Sequence, residues 1–190
     1  MDDAHGTGII GDHGKGACEF HHVEGQVDVV MGTFSKAFAV NGGFVSSSKE
    51  IIGYMRYFAR SYMFSAAMPA STLAAVHAGL DLLEKEPERR ITLWDNVRYA
   101  TVKLNAIGFQ CVPQSAIIAL NVPLSMDMRK AAYMFHKMGI FINAIEYPAV
   151  SLESQRFRIS IMSTHTHDDI DALVIAVETV WNECKQELEA

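Results

Sequence analysis

The sequence predicts an α/β part followed by a smaller α+β part with a mainly antiparallel sheet. Three observations carry this. The apolar run at residues 27–31 and the stretch after Gly42-Gly43 read as short strands, and three helical patterns follow them. Residues 156–162 alternate Phe157, Ile159 and Ile161 with Arg156, Arg158 and Ser160, the two-residue period of a half-buried strand. Residues 167–188 then place apolar side chains at helical spacing, as a helix covering such a sheet does.

Residues 2–26 are rich in Gly, His and Asp and read as loop. The strand at 27–31 lacks alternation, so burial on both faces is expected. Gly42-Gly43 turns the chain into the second strand. Residues 49–62 carry Ile51, Ile52, Met55, Phe58 and Ala59 in helical rhythm. The helix over 69–85 opens on Pro69, with Leu73, Val76, Leu80 and Leu83 expected inward. A third helix covers 88–107 and stops at Gly108. Beyond it, 109–112 and 116–122 read as strands, 127–138 as a helix ended by Gly139, and 140–145 and 156–162 as strands. The order β-β-α-β-β-α predicts helices on one face of an antiparallel sheet. The expected domains are therefore 1–105, a partial α/β domain, and 106–190, the small α+β domain. Two strands do not make a doubly wound sheet, so the first part reads as the back half of a larger domain.

The 190 residues are 49% hydrophobic and 20% charged, as in a globular protein. A formal net charge of −6 does not favour a nucleic-acid partner. Cys18, Cys111 and Cys184 are odd in number and form no C-x-x-C pair, which fits a reducing, cytoplasmic setting. No apolar stretch has bilayer-spanning length, and residues 1–8 lack the pattern of a signal peptide.

Two segments carry candidate chemistry. Lys36 lies among Thr33, Phe34, Ser35, Ala37 and Phe38, just past the first strand. An amine attacks only when neutral, and local composition alone favours an exposed lysine on a turn. Asp2 and His5 form a D-x-x-H, which by itself reads as a capped glycine-rich loop or an acid–base pair. His13, Cys18, His21 and His22 are close in sequence, but their spacing matches no common zinc site, and no metal is expected. In 164–169, Thr166 reads as a helix cap with Asp168 and Asp169 at the positive end.

Taken together, "DDAHGTGIIGDHGKG", the strand ending in T-F-S-K, "NGG", "SAAMPAS", "AIEYPAV" and "RFRISIMSTHT" occur in an order and spacing that resemble the α-oxoamine synthases. These are pyridoxal 5′-phosphate (PLP) enzymes of the aspartate-aminotransferase fold, type I. The resemblance implies that residues 1–105 are the C-terminal part of a PLP-binding large domain. It implies that Lys36 holds PLP as a Schiff base, that Asp2 pairs with the pyridinium nitrogen, and that His5 hydrogen-bonds the phenolic oxygen and assists proton movement. Thr33 would contact the phosphate, and Ser65 would reach the phosphate from a neighbouring subunit. Arg158 would receive the amino-acid carboxylate, with Arg156 two residues earlier on the same strand face as its rival. The implied reaction condenses an amino acid with an acyl-CoA, releasing CoA and, in most members, CO2. A homodimer is expected.

The match departs at three points. Ala39 stands where many members have Gly, and Ala66 lacks the hydroxyl that its region supplies. Glu146 stands where some members have a second arginine, which disfavours an acidic acyl chain near it. The family's chain is about twice as long as this one, so the chain is expected to be a C-terminal piece, nearly inactive alone. Two other functions compete: an aminotransferase of the same fold, and a non-catalytic dimerisation subunit. Many aminotransferases place an arginine soon after the glycines, and "NGGFVSSS" has none. A non-catalytic subunit would be expected to lack the lysine.

Overall fold

The computed structural model describes residues 1–189, with side chains through residue 184. It divides into two compact units, Met1–Arg90 and Ile91–Ala190.

The first unit contains α1 (Ala17–Phe20), β1 (Val29–Thr33), β2 (Gly43–Ser47), α2 (Lys49–Phe58), α3 (Arg60–Met63) and α4 (Ala70–Lys85). β1 and β2 pair antiparallel, from Val29 opposite Ser47 to Thr33 opposite Gly43. The approach of the two chains is close: a Cβ on Gly43 would lie 2.6 Å from the Gly32 carbonyl oxygen. On the other side of β1, Asp2 forms a parallel bridge with Met31. The Asp3 amide donates to the Met31 carbonyl at 2.8 Å, and the Met31 amide donates to that of Met1 at 2.9 Å.

Three expectations change here. The first strand starts at Val29 and is not buried on both faces, because it has only β2 and the Asp2 bridge as neighbours; Met31 is exposed. The helix expected over 49–62 is two helices, because Ala59 takes an extended conformation (ψ 107°). Of the four α4 residues expected inward, only Val76 is buried. It packs with Phe34 and Phe38, with Val40, Phe44 and Met68 around them, while Leu73 and Leu80 are exposed.

The second unit contains α5 (Glu88–Ala106), β3 (Ile117–Asn121), α6 (Met128–Lys137), β4 (Asn143–Ile145), β5 (Arg156–Ser160) and α7 (His167–Glu189). The sheet is antiparallel in the order β3-β5-β4. Phe157 and Ile159 of β5 are buried, with Ile118 and Leu120 of β3. Phe135 of α6, Phe157 and Trp181 of α7 meet edge to face. Arg156, Arg158 and Ser160 lie on the other face by strand alternation.

Residues 109–112 form no strand. The side-chain amide of Asn105 takes both polar groups of Cys111, accepting from its N–H at 2.7 Å and donating to its carbonyl at 3.2 Å. A side chain that satisfies a peptide in this way competes with a sheet ladder. β4 is confined to Asn143–Ile145, because Ile140 instead donates to the Phe135 carbonyl at the end of α6. One strand is therefore missing from the expected β-β-α-β-β-α order. α5 buries Leu93, Val97, Ala100 and Leu104. It is tied to α7 and the segment before it: Asn96 donates to the Met162 and His165 carbonyls, and the Tyr99 hydroxyl donates to Asp171. The units therefore part at 90/91, upstream of the 105/106 boundary read from the sequence. Among the described residues, no helix is long and apolar enough to cross a membrane.

Candidate active site

The loop after β1 is closed on itself. The Phe34 amide donates to the Gly42 carbonyl at 2.9 Å, and the Val40 amide to that of Phe34 at 3.0 Å. Inside it, the Ala39 amide donates to the Lys36 carbonyl at 3.1 Å. Phe34 and Phe38, two residues either side of Lys36, are buried edge to face with ring centroids 5.6 Å apart. Gly79 of α4 leaves room for this, since a Cβ there would lie 2.7 Å from the Phe38 ring. The two rings hold the backbone at position 36 while the Lys36 side chain is exposed. Thr33 ends β1, and its hydroxyl accepts from the Ser35 amide at 3.2 Å and lies 2.9 Å from the Ser35 hydroxyl. Ala39 adopts φ 54°, the left-handed region in which a side chain is unfavourable.

Asp2 and His5 reach the same end of β1 from the neighbouring segment. The bridge fixes Asp2 beside Met31, two residues before Thr33. The Asp2 carboxylate is exposed, and its Oδ1 accepts from the Ala4 amide at 2.9 Å. His5 is exposed in the turn closed by the Gly6 and Thr7 amides, which donate to the Asp3 carbonyl at 3.0 Å. Four sequence-chosen residues, Asp2, His5, Thr33 and Lys36, are thus gathered at the carboxyl end of β1. Ser65 lies apart from them between α3 and α4, exposed, its hydroxyl donating to the Ser61 carbonyl at 2.5 Å.

In the second unit, β5 separates the two arginines that the sequence left as rivals. The Nε of Arg156 donates to the Ser154 carbonyl at 2.8 Å. The Nε of Arg158 is buried and has no partner among the described residues. Arg158 sits between Ala119 of β3 and Asn143 of β4. A buried guanidinium N–H left unspent costs free energy unless a ligand accepts from it.

Around the glycine-rich loop, burial alone would raise the Glu19 pKa. Hydrogen bonds from the His13 ring and from the Lys15 and His13 amides outweigh it and hold the carboxyl below the usual range. His13 Nδ1 lies 2.6 Å from Glu19 Oε1. Burial pushes the Cys111 thiol up.

Sequence reasoning missed Asp3, whose carboxylate is 4% exposed. The signal for it was the pairing of this acid with glycines at 6 and 16. It also missed the Asn105 clasp on Cys111, which leaves no periodic trace.

The pattern of the family "Aminotransferase class I and II" matches residues 1–177. The serine palmitoyltransferase of Sphingobacterium spiritivorum is 36% identical over 188 residues, which is 98% of this chain and 47% of that protein. The 8-amino-7-oxononanoate synthase of Thermosipho melanesiensis is 36% identical over 185 residues, 95% of this chain and 46% of that one. A solved serine palmitoyltransferase carrying PLP as its internal aldimine superposes with a TM-score of 0.85 at 32% identity, covering 97% of this chain and 47% of that one. The chain thus spans about half the length of these relatives. With this match and these relatives, the chain belongs to the class I and II aminotransferase family, in its α-oxoamine synthase branch.

Proposed function

We propose that this chain is the C-terminal part of a PLP-dependent acyltransferase that condenses an amino acid with an acyl-CoA to an aminoketone, as an 8-amino-7-oxononanoate synthase does. The observation that carries the reading is the convergence of Lys36, Thr33, Asp2 and His5 at the end of one strand. The residues fit the cofactor. Lys36 offers an exposed amine and Asp2 an exposed carboxylate. When bound, PLP supplies an electron sink for the carbanion formed at the amino acid's α-carbon.

Lys36 Nζ would hold the cofactor at its aldehyde carbon with loss of water and, once freed by the incoming amino acid, would take the α-proton. The Asp2 carboxylate holds a proton on the pyridine nitrogen by charge pairing. His5 would donate to the phenolic oxygen, and the Thr33 hydroxyl, which here donates to the Gly42 carbonyl at 3.2 Å, would turn to the phosphate. Ser65 reaches the phosphate site of a second copy in a homodimer. Arg158 orients the amino-acid carboxylate through its fork of N–H donors. Arg156 is the weaker candidate for that task, because its Nε is already bonded to Ser154.

Lys36 and Asp2 are both exposed within this chain, with no enclosed pocket around them among the described residues to hold a cofactor ring. The isolated 190 residues therefore bind PLP weakly and turn over little. The test is to add PLP to the chain and to Lys36→Ala and follow the visible absorption. A weak band that disappears in the variant agrees with the reading, and a band of equal strength in both contradicts it. The aminotransferase alternative is separated in the full-length enzyme by its product. CoA release with glycine, alanine or serine marks a synthase, and amino-group exchange with a keto acid marks an aminotransferase.

A further inference from the structure

Among the described residues, Asp3 and Asn96 are the buried polar ones. Every polar group of Asp3 is spent on holding the segment that carries Asp2 and His5. Its amide donates to the Met31 carbonyl of β1 at 2.8 Å. Its carbonyl accepts from the Gly6 and Thr7 amides, closing the turn that contains His5. Its Oδ1 accepts from the Ala17 amide at 3.0 Å, fourteen positions along the chain. Its Oδ2 accepts from the Thr7 hydroxyl at 2.9 Å. The carboxylate also fills space that only glycine leaves open. A Cβ on Gly6 would lie 2.0 Å from Oδ1, and a Cβ on Gly16 would lie 1.8 Å from Oδ2. Two separated points of the loop, Thr7 and Ala17, are thus fixed to one side chain, and the backbone amide of the same residue is bonded to β1.

We propose that Asp3 is a positioning residue: its carboxylate ties Thr7 and Ala17 to the segment whose backbone is bonded to β1, so that the flanking Asp2 and His5 are held in one orientation. The clamp rests on the cofactor reading above for its purpose, but its geometry stands without it. Asp3 does not touch the cofactor; it acts through its neighbours. Asn at this position keeps the size and the oxygen that accepts from Ala17, and its amide hydrogens point to the Thr7 oxygen. Ala keeps neither bond.

The experiment uses the 190-residue chain and its Asp3→Ala, Asp3→Asn and Thr7→Val variants. Two quantities are read: the NMR titration of the His5 ring without cofactor, and the yield of phosphopyridoxyl-Lys36 after PLP and borohydride. Asp3→Ala is expected to displace the His5 titration curve and to lower the Lys36 yield about tenfold, the equivalent of roughly 1.4 kcal/mol. Asp3→Asn is expected to restore both to near the parent values. A folded Asp3→Ala with the parent His5 curve and the parent Lys36 yield overturns the proposal, as does an Asp3→Asn no better than Asp3→Ala. If Asp3→Ala does not fold, Thr7→Val decides: a moved His5 curve supports the clamp and an unmoved one overturns it. Absence of any preference for Lys36 in the parent chain sinks the cofactor reading instead, and the His5 curves still judge the clamp.

Discussion

At the scale of single residues, the backbone around Lys36 is held by packing and strained at one point. Ala39 sits at φ 54°, where a Cβ is unfavourable by roughly 1–2 kcal/mol. Ala39→Gly removes that cost and adds some unfolded-chain entropy. A net gain of up to about 1 kcal/mol in chemical denaturation is expected; a loss would show that the Ala39 methyl makes a contact that matters more. The two arginines of β5 give a second residue-level prediction. Hydrogen bonds to charged groups contribute about 1.5–3 kcal/mol. In the full-length enzyme, Arg158→Ala should therefore weaken amino-acid binding by about ten- to a hundredfold, while Arg156→Ala leaves it within a few-fold. The reverse order, read from substrate-induced spectral changes, would reassign the carboxylate to Arg156. The local pattern "RFRIS" could not separate these two, because alternation places both on one face. The bond from Arg156 to Ser154 and the buried Arg158 Nε without a partner among the described residues distinguish them.

At the scale of elements, the caps were legible and the irregular joins were not. Thr166 and Asp169 cap α7 reciprocally: the Asp169 amide donates to the Thr166 hydroxyl oxygen at 3.2 Å, and the Thr166 amide donates to Asp169 Oδ2 at 2.8 Å. The bond from the Thr166 backbone is the main cause that holds the Asp169 carboxyl below its usual range. Thr166→Ala should cost about 1 kcal/mol, measured by denaturation of the second unit. The glycine-rich loop has an acid-sensitive tie of the same kind. Glu19 has a lowered pKa in the folded chain, so its contribution is present above the ordinary carboxylate range and is lost as pH falls through the lowered value. The protection factor of the Lys15 amide, its exchange rate relative to an unstructured chain at the same pH, should fall on acidification, and Glu19→Gln should flatten that dependence. The missing strand at 109–112 shows the limit of periodicity. Phe109 to Val112 has strand-like composition, yet the Asn105 amide satisfies the Cys111 peptide locally.

At the scale of the whole molecule, the α/β to α+β succession was readable because strand alternation and helix stops at Gly108 and Gly139 are local signals; both glycines have positive φ. The depth of burial was not readable. The apolar-rich run at 27–31, interrupted only by Asp28, implies neighbours on both faces, and α4 implies a partner for Leu73 and Leu80, but Met31, Leu73 and Leu80 are exposed here. The division between units also depended on tertiary ties, since α5 is bound to α7 through Tyr99 and Asp171. The candidate site was legible as separated motifs, whereas the Asp3 carboxylate became visible only once Thr7 and Ala17 were brought to it. The account's central claim is that Lys36 is the cofactor-binding amine. Borohydride trapping of excess PLP on the chain, followed by peptide mass mapping, tests it most directly. Phosphopyridoxyl concentrated on Lys36, and reduced by Asp2→Asn, is the predicted result; label spread over the other lysines with none favoured at position 36 would contradict it.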